Sequence, residues 1–557
     1  MKKSILLIAI AILAFSCKTD KKANQHIAEN LQKEETKTPF VWDAANIYFL
    51  LTDRFNNGDK TNDVNYNRTK ETAVLRGFEG GDLQGITQKI EDGYFTNLGI
   101  NAIWMSPIVE QIHGATDEGT GNTYGFHGYW TKDWTNIDAN LGTKEDLQNL
   151  VDAAHKKGIR VLLDAVINHT GPVTEQDPVW PSDWVRTEPQ CQYDNYENTV
   201  TCTLVKNLPD IKTESNEAVN LPPQLVEKWK AEGRYEEEVA ELDAFFKKTG
   251  HPRAPRFYIM KWLSDYITDF GIDGYRVDTV KHTEAFVWQE FKDVCDNAFA
   301  EFKQQNPNKV LDDNAFYLVG EVYNYGISAG TAFDFGDKKV NYFDEAFNSL
   351  INFEFKWNAA QQTYEEQFKK YDSLLHSNLK DYGVLNYLTS HDDGQPFDKN
   401  REKTYETATR LLLSPGAAQV YYGDESARDL TIEGTVGDAT LRSFMNWNEM
   451  EHQQDLLIHW QKLGQFRRNH PSVGAGKHTM LSNSPYLFSR SYAKEDFKDD
   501  VIIGIDIPKG KHSIDVSSVF KEASQIKDFY SGEILEVTNG NITIETESNI
   551  LLLENIK

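Results

Sequence analysis

The sequence predicts an α/β fold: a (β/α)8 (TIM) barrel that carries an inserted segment and a C-terminal antiparallel β-sandwich. Apolar strands alternate with amphipathic helices over residues 41–169 and again over 256–470, which is the pattern of a parallel sheet covered by helices. The alternation stops over residues 170–255, a stretch too long for a plain connection and therefore predicted to be a small inserted domain. Over residues 471–557 the apolar runs are short and alternating or β-branched, as in an all-β domain.

Composition sets the broad class of the protein. The 557 residues have room for about three or four domains, or for one large barrel with additions, and a 39% apolar fraction is enough to build a core. A formal charge of −27 argues against nucleic acids and anionic lipid surfaces as partners. The aromatic content of 12% is high; aromatic rings stack on sugars, but they also fill cores.

The first residues are typical of a secretory signal, predicted to cover residues 1–16. Two lysines, Lys2 and Lys3, precede an apolar run that is too short to span a membrane. Ser16 and Cys17 follow the run, and this arrangement is similar to a bacterial lipoprotein signal, whose cysteine becomes the lipidated first residue. The alternative is an ordinary signal followed by a chance cysteine. Residues 17–40 are mostly polar and charged and are predicted to form a flexible tether.

Three further cysteines follow. Cys191 and Cys202 lie close together in a polar stretch, and in an oxidising compartment we expect them to form a disulfide. Cys295 lies four residues from both Phe291 and Phe299 in a helical run. We therefore predict that Cys295 is a buried core thiol rather than a ligand or a nucleophile.

The first two barrel strands are predicted at residues 46–55 and 99–107, both of them largely apolar runs. A cluster of oxygen-bearing side chains follows the first strand. At this density such side chains either bind a hard cation such as Ca²⁺ or form a hydrated turn. A Gly-rich loop follows the second strand and carries His127 and Tyr129.

The remaining barrel elements follow in the same rhythm. We predict helices at residues 144–158, 258–270, 283–305 and 400–414, and strands at 159–167, 275–278, 316–321, 382–392 and 416–425. Several of these strands end in polar or charged side chains, which is where the active residues of a (β/α)8 barrel lie.

The inserted and C-terminal segments have their own patterns. The insertion contains a charged helical run at residues 224–248. In the C-terminal segment, Asn539 and Gly540 are predicted to join residues 534–537 and 542–545 as a hairpin.

Three carboxylates lie at the ends of predicted strands: Asp278, Glu321 and Asp392. In a closed barrel the strand ends converge, and hydrolysis of a glycosidic bond needs two carboxyl groups in different protonation states. Asp278 shares a strand face with Arg276, which favours its ionised form, although an isolated Arg-x-Asp is more often a structural pair. Glu321 follows an apolar strand, so desolvation would raise its pKa. Asp392 has no obvious Arg partner nearby in the sequence.

The stretch from Gly271 to His282 resembles the signature of the α-amylase superfamily (glycoside hydrolase family 13), and similar regions follow in the family's order over residues 42–557. The resemblance implies that Asp278 is the nucleophile, that Glu321 is the general acid and then the base, and that Asp392 holds hydroxyls of the sugar. It also implies substrate contacts for His127, Tyr129, His169, Arg276, Lys281, His282, His391, Asp438 and Arg442. Departures are Ser390, where many members carry Asn, and an insertion more helical and charged than usual.

The resemblance further implies calcium at two places. One site, at the junction of the barrel and the insertion, would use the side chains of Asn168 and Asp210 and the carbonyl of His282, an oxygen set that suits Ca²⁺. The second is similar to the N-terminal calcium loop of cyclodextrin glucanotransferases and would use Asn57, Asp59, Asn62, Asp63, Gly80 and Asp82. Nothing in the sequence resembles a zinc site.

The same resemblance gives an expected linkage. Thr279 stands where relatives acting on α-1,6 bonds usually carry Val, and Lys281-His282 is typical of true α-amylases. We therefore expect retaining hydrolysis of α-1,4 bonds in starch, glycogen or maltodextrins, with an α-glucan polysaccharide or maltooligosaccharide as substrate. A glucan transglycosylase or maltogenic enzyme is the near alternative, and a non-catalytic glycan-binding lipoprotein is the remote one.

Residues 382–447 look most like the maltodextrin-cleaving α-amylases that Gram-negative bacteria secrete or keep in the periplasm. Together with Cys17, this predicts a protein anchored by lipid to the outer membrane, on its periplasmic or cell-surface face. The anchor would be its only contact with the membrane, and it permits association with a glucan-uptake complex in addition to catalysis.

Overall fold

Eight parallel strands close into a barrel at the centre of the computed structural model, which describes residues 38–556. In chain order they are β1 Asn46–Leu50, β2 Ala102–Met105, β3 Arg160–Ala165, β4 Gly274–Val277, β5 Tyr317–Gly320, β6 Ser349–Asn352, β7 Gly383–Tyr387 and β8 Ala417–Tyr421. Each strand pairs with its sequence neighbours, and β8 closes on β1, where Ile47 lies opposite Gln419 on one side and Ala102 on the other. The predicted α/β barrel is confirmed.

Every residue of these eight strands is buried. The covering helices are Leu83–Glu91, Lys144–Lys156, Pro255–Phe270, Ala285–Gln305, Phe355–Gln361, Tyr364–Leu375, Thr404–Leu412 and Gln454–Asn469. Shorter helical turns are Trp42–Ala44, Thr52–Phe55, Tyr94–Asn97, Val280–His282, Pro307–Lys309, Ile327–Ala329, Tyr342–Glu345, Gly437–Arg442, Trp447–Gln453 and Ser472–Ala475. Burial on both faces of the sheet explains why most residues in these strands are apolar.

The helix that leads into β4 shows how local sequence aims a strand. It has Pro255 at its first position, where the missing N–H costs nothing, and it ends at Gly271 with a φ of 72°. A Cβ added to Gly271 would lie 2.0 Å from the ring of Phe302. Both the left-handed backbone and the close packing therefore require glycine at the point where the chain turns into β4.

Two barrel predictions need correction. The first strand ends at Leu50 rather than Phe55, and Thr52–Phe55 turns into a short helix. The sixth strand, Ser349–Asn352, was not predicted at all. It has four residues, of which only Leu350 and Ile351 are large and apolar, so its sequence carries little strand signal.

Short elements form the loops and the insertion. Outside the insertion, paired short strands are Val109–Gln111 with Thr131–Ile137, Thr116–Asp117 with Asn122–Thr123, and Phe333–Asp334 with Lys339–Val340. Within it, the strands Val185–Arg186 and Asp210–Ile211 pair, and the helices are Glu197–Val200, Pro223–Ala231 and Tyr235–Thr249. The predicted single helical run is thus divided, at Gly233, whose φ is 76°.

The two predictions for cysteine are confirmed. Cys191 and Cys202 form a disulfide within the insertion. Cys295 is a free thiol buried in the helix Ala285–Gln305.

The C-terminal residues form two packed sheets. Their strands are β9 Lys477–Asn483, β10 Tyr486–Lys494, β11 Phe497–Ile505, β12 Gly510–Asp515, β13 Gln525–Asp528, β14 Ile534–Glu536, β15 Asn541–Thr546 and β16 Ile550–Asn555. The larger, antiparallel sheet has the order β9-β10-β11-β16-β13-β14, and β12 pairs with β15. Ile502 and Leu551 of the first sheet pack with Ile514 and Ile542 of the second.

The predicted hairpin at Asn539-Gly540 is wrong in its pairing. The turn itself forms, with both residues at positive φ and paired backbone bonds between Thr538 and Asn541. However, β14 pairs with β13 in the large sheet, whereas β15 pairs with β12 in the small one. The turn signal was correct, but the strands on either side of it separate into different layers.

The chain divides into two units, Met1–Pro39 and Phe40–Lys557. Of the first unit the structure describes only residues 38 and 39, which form no helix or strand. The predicted signal, Cys17 and nearly all of the predicted tether lie outside the described residues. Between residues 38 and 556, no helix combines the length and the apolar character needed to cross a bilayer.

Candidate active site

The side chain of Arg276 joins three carboxylates at the C-terminal end of the barrel. Its Nη1 lies 2.9 Å from Asp164 Oδ1 and 2.7 Å from Asp278 Oδ1, and its Nη2 lies 3.0 Å from Glu321 Oε1. Asp164 on β3 lies directly opposite Arg276 in the sheet register, and the other two residues follow the ends of β4 and β5. Three neighbouring strands therefore bring these groups together, as a closed barrel requires.

The carboxyl groups differ in their affinity for a proton. Burial, and to a lesser extent the charges of Asp278 and Asp392, raises the pKa of Glu321 to about 7, although Arg276 opposes the rise. Burial also raises the pKa of Asp278 against the opposing charge of Arg276, and raises the pKa of Asp164 to about 6. The ion pair predicted between Arg276 and Asp278 is present, but desolvation outweighs it in setting the pKa.

Asp392 lies in the turn after β7, and a remote arginine holds it. Arg442 Nη2 lies 2.6 Å from Asp392 Oδ1, and His391 Nε2 lies 3.0 Å from Asp392 Oδ2. Although burial disfavours the charge, His391 and Arg442 hold the pKa of Asp392 well below its ordinary value. Asp438 bridges Arg442 at 2.5 Å and Arg76 at 2.6 Å. The predicted Asp438–Arg442 pair is thus bound to Asp392 through the arginine.

Tyr129 links the two sides of the site. Its hydroxyl donates to Asp164 Oδ2 at 2.9 Å, and its ring stacks at 5.4 Å on His391 and at 5.8 Å on His127. His169 lies beside it, with Nε2 3.1 Å from the Tyr129 carbonyl. Four of the predicted substrate-contacting residues therefore form one continuous wall.

Lys281 and His282 lie in the helical turn after β4. The ammonium of Lys281 lies 5.2 Å from the ring centre of Tyr323. His282 Nδ1 lies 3.2 Å from the Thr199 carbonyl, and its ring packs at 5.6 Å against Tyr193. Both contacts come from the loop that the Cys191–Cys202 disulfide closes, so this loop supports the turn after the predicted nucleophile.

A cavity of about 390 Å³ opens over Arg276, Glu321 and Asp392. Its rim carries two aromatic side chains, Tyr323 and Trp357, which are 50% and 46% exposed. Half-exposed aromatic rings beside carboxylates suit a sugar, which presents apolar ring faces and polar edges.

Sequence reasoning missed several of the residues that build this site: Asp164, Tyr323, Lys356, Trp357 and Asp393. Asp164 carried a usable signal, since it is an acid inside a strand that is otherwise almost entirely apolar. Lys356 and Trp357 follow the strand that was not predicted, so nothing in the sequence pattern placed them at the barrel mouth.

The first predicted calcium site brings together oxygen atoms around the Asn168 amide. Nδ2 of Asn168 lies 2.9 Å from Asp210 Oδ1 and 2.7 Å from the His282 carbonyl, while its Oδ1 lies 3.2 Å from His169 Nδ1. Burial lowers the pKa of His169 to about 4, so its ring is neutral at pH 7 and carries one N–H. Nε2 donates that N–H to the Tyr129 carbonyl, so Nδ1 is an acceptor and needs a donor.

A 180° rotation of the Asn168 amide meets that need, because Nδ2 then donates to His169. The same rotation brings Oδ1 to face Asp210 and the His282 carbonyl, so three oxygens converge. The residues present therefore fit a hard cation.

The second predicted site has two buried amide oxygens without a hydrogen-bond partner, Asn57 Oδ1 and Asn62 Oδ1. Asp63 Oδ1 lies 2.8 Å from Asn57 Nδ2, and a Cβ on Gly80 would lie 2.7 Å from the same Asp63 oxygen. Unsatisfied oxygens beside a carboxylate fit a cation as well.

Two members of the second set are engaged elsewhere. The Asp82 carboxylate accepts from the backbone N–H groups of Gly58, Asp59 and Gly85, and Asp59 Oδ1 accepts from Thr61. Among residues 38–556, no cluster of three or more His, Cys, Asp or Glu side chains could hold a metal ion. The first predicted site instead combines the Asp210 carboxylate with an Asn amide and a backbone carbonyl, and the second combines the Asp63 carboxylate with two Asn amides.

The catalytic-domain model of the α-amylase family matches residues 49–467 of this sequence. The chain belongs to the α-amylase family. It is therefore a glycosidase, and the carboxylates on Arg276 lie where catalytic groups of a (β/α)8 barrel are found, at the carboxyl ends of its strands.

The relatives include hydrolases and transglycosylases of this α-amylase family. The periplasmic α-amylase of Escherichia coli strain K12 is 36% identical over 533 residues, which cover 84% of this chain and 73% of that one. The cyclomaltodextrin glucanotransferase of Geobacillus stearothermophilus is 29% identical over 461 residues, which cover 81% of this chain and 58% of that one. A solved α-amylase of Anoxybacillus has a TM-score of 0.63 at 24% identity, over 93% of this chain and 100% of that one. This structural likeness speaks for the fold alone.

Proposed function

We propose that this protein hydrolyses α-1,4-glucosidic bonds of starch, glycogen or maltodextrins with retention of configuration, with Asp278, Glu321 and Asp392 as its catalytic carboxylates. The observation that carries the proposal is the shared guanidinium of Arg276, which contacts Asp278 through one terminal nitrogen and Glu321 through the other. Two carboxyl groups on one guanidinium lie side by side, which suits retaining glycosidases, whose carboxyl groups are about 5 Å apart.

In the first step Asp278 attacks the anomeric carbon and forms a covalent bond to the sugar, while Glu321 gives its proton to the departing glycosidic oxygen. A pKa of about 7 makes Glu321 a competent proton donor near neutral pH. In the second step Glu321, now ionised, removes a proton from water, and the water oxygen displaces Asp278. Arg276 favours the ionised form of Asp278 at the start of each cycle.

The remaining residues of the site would hold the sugar that is being cleaved. Asp392, kept ionised by Arg442 and His391, is free to accept hydrogen bonds from ring hydroxyls. The Tyr129 ring and His127 form the apolar side of the same subsite. Family membership and the three assembled carboxylates argue against a protein that only binds glycans.

A transglycosylase is the second candidate function. In that reaction a sugar hydroxyl replaces water in the second step, so an acceptor must be held over Asp278. The exposed rings of Tyr323 and Trp357 at the cavity rim favour this candidate, since they offer stacking surfaces for an acceptor sugar. Relatives with cyclomaltodextrin glucanotransferase activity support the same possibility.

Calcium is part of the proposal at two sites. Asn168, Asp210 and the His282 carbonyl would hold one ion; Asn57, Asn62 and Asp63 would supply the core of the second, with Gly80, Asp59 and Asp82 around it. When bound, the first ion would fix the insertion against the turn that carries Lys281 and His282. Its chemistry is structural, and every proton in the reaction is carried by side chains of the protein.

The cellular place is proposed from the sequence and from one relative. The Escherichia coli relative is a periplasmic α-amylase, which supports a periplasmic or secreted protein. A lipid on Cys17, an outer-membrane location and association with a glucan-uptake complex are proposals that rest on residues 1–40 of the sequence. Globomycin treatment of expressing cells tests the anchor, because a lipoprotein precursor would accumulate.

Product analysis tests the proposed reaction. Purified protein is mixed with maltohexaose, and the anomeric form of new reducing ends is followed by NMR before mutarotation. Shorter α-anomeric products would support a retaining hydrolase, whereas products longer than maltohexaose would favour transglycosylation. β-Anomeric products, or no turnover, would contradict the proposal.

A further inference from the structure

An ion pair joins the first turn of the helix Phe355–Gln361, which follows β6, to the turn after β7 inside the catalytic cavity. Lys356 Nζ contacts Asp393 Oδ2 and donates to the Gln395 carbonyl at 3.1 Å. The hydroxyl of Tyr387, at the end of β7, donates to the same Asp393 oxygen at 3.1 Å. Only 8% of the Lys356 side chain and 14% of the Asp393 side chain are exposed. The pair therefore lines the cavity, but its side chains are largely buried and bonded to other protein groups.

Asp393 directly follows Asp392, so its charge enters an already acidic site. The charged or titratable groups that act on Glu321 come from four elements: Arg276 on β4, Asp278 and Lys281 after β4, Tyr387 at the end of β7 and Asp392 in the next turn. Arg276 is already shared among three carboxylates. An unpaired Asp393 would therefore add a negative charge to this acidic cavity, where the ammonium of Lys356 is the cation in contact with it.

We propose that Lys356 is a positioning residue of the reaction: by pairing with Asp393 it fixes the turn that carries Asp392 and neutralises the extra carboxylate that this turn brings into the catalytic cavity. The proposal rests on the function proposed above. It also explains why a lysine follows β6 at the barrel mouth, where its ammonium lies 4.4 Å from the ring centre of the half-exposed Trp357. The pair therefore fixes one wall of the cavity as well as the turn.

If the pair only stabilised these two segments, its mutation would lower activity without moving the pH dependence of kcat/KM. If the pair also balances charge, mutation should shift the pKa of Glu321, and the two partners should shift it in opposite directions because their charges are opposite. Removing Lys356 leaves a negative charge near Glu321, which favours its protonated form, and removing Asp393 leaves a positive charge, which favours its ionised form. The two single variants should therefore move the pH profile in opposite directions.

The test measures kcat/KM on maltohexaose from pH 4 to 10 for Lys356→Met, Asp393→Asn and the double variant. Lys370→Met is the matched control. Lys370 pairs at 2.5 Å with Glu354, which lies two residues before Lys356 and caps the start of the same helix, but neither Lys370 nor Glu354 lines the cavity. Thermal unfolding of each variant reports whether the fold is kept.

We expect the alkaline limb of the Lys356→Met profile to move up, and that of Asp393→Asn to move down, each by on the order of half a pH unit or more. The alkaline limb of the double variant should lie close to that of wild type, because charge balance is restored. Its kcat/KM should be lower, because the contact between the two segments is lost. Lys370→Met should keep the wild-type limb.

Coincident alkaline limbs for wild type and all variants would overturn the proposal, as would shifts of one sign in both single variants. If Lys356→Met does not fold, the direction of the Asp393→Asn shift and its reversal in the double variant decide the question. An inactive wild-type protein would instead contradict the proposed function, and this inference with it.

Discussion

Arg442 Nη2 lies 2.6 Å from Asp392 Oδ1, and this contact joins the loop after β8 to the turn after β7. The two residues are fifty positions apart in the sequence. Arg442 Nε also donates to the carbonyl of His391 at 3.1 Å, so one guanidinium holds both the charge and the backbone of this turn. Asp392 is therefore fixed from a loop that carries no catalytic carboxylate.

Arg442→Met should lower kcat/KM for maltooligosaccharides by about 10²-fold, a loss typical of removing one preorganised contact from a catalytic site. The physical reason is that Asp392 loses the cation that keeps its pKa low and its side chain in place. Arg76→Met is the matched control, because Arg76 contacts Asp438 but not Asp392. Equal losses in both variants would show that the arginine cluster acts through general stability.

The activity should fall as pH rises through about 7. Glu321 must carry a proton to assist the departing oxygen, and its raised pKa of about 7 means that this proton is lost above neutrality. Steady-state kcat/KM from pH 4 to 10 gives the free-enzyme profile. A limb that stays flat to pH 9 would contradict the assignment of Glu321 as the acid.

The sequence allowed most of the barrel and the three carboxylates to be predicted because each depends on local pattern: apolar strands, helical spacing and acids at strand ends. β6 was missed because four residues with two large apolar side chains give almost no periodic signal. The Asn539-Gly540 turn was predicted correctly and its pairing was not, since strand partners are decided by which layer has a free edge.

The electrostatics of the site were the least predictable part. Arg276 was expected to pair with Asp278, and the register of β3 against β4 also places Asp164 on the same guanidinium. Arg442 reaches Asp392 only because the barrel brings the ends of β7 and β8 together. These contacts follow from closure of the sheet, which no local pattern contains.

Removal of calcium should destabilise the protein. At a Ca²⁺ concentration 100 times the Kd, each site would contribute about 2.7 kcal/mol to the free energy of unfolding. The Tm is measured with Ca²⁺ and with EDTA for wild type and for Asn168→Ala, with Asn136→Ala as a control outside both predicted sites. The Ca²⁺-dependent part of the Tm should shrink in Asn168→Ala and persist in the control. If the Tm of wild type were the same with EDTA as with Ca²⁺, the prediction of both calcium sites would be contradicted.

Loss of the Cys191–Cys202 disulfide should weaken substrate binding more than it slows catalysis. A disulfide across a sequence separation of 11 contributes about 2–3 kcal/mol to the free energy of unfolding of the loop. That loop supplies the Thr199 carbonyl beside His282, so its loosening should raise KM for maltohexaose several-fold with a smaller change in kcat. The double variant Cys191→Ser/Cys202→Ser is compared with oxidised wild type in buffer without reductant, and the free thiol of Cys295 is buried. An unchanged KM would contradict the supporting role of the loop.

The division of labour between Asp278 and Glu321 is the central claim, and leaving-group dependence tests it most directly. Rates of Glu321→Gln and Asp278→Asn are measured on maltotetraose, whose departing oxygen needs a proton, and on α-maltosyl fluoride, whose fluoride does not. The account predicts that Glu321→Gln loses several orders of magnitude on maltotetraose but releases fluoride in the first turnover at close to the wild-type rate, because only hydrolysis of the glycosyl-enzyme then lacks its base. Asp278→Asn should be inactive on both. Equal losses of Glu321→Gln on the two substrates, or an active Asp278→Asn, would contradict it.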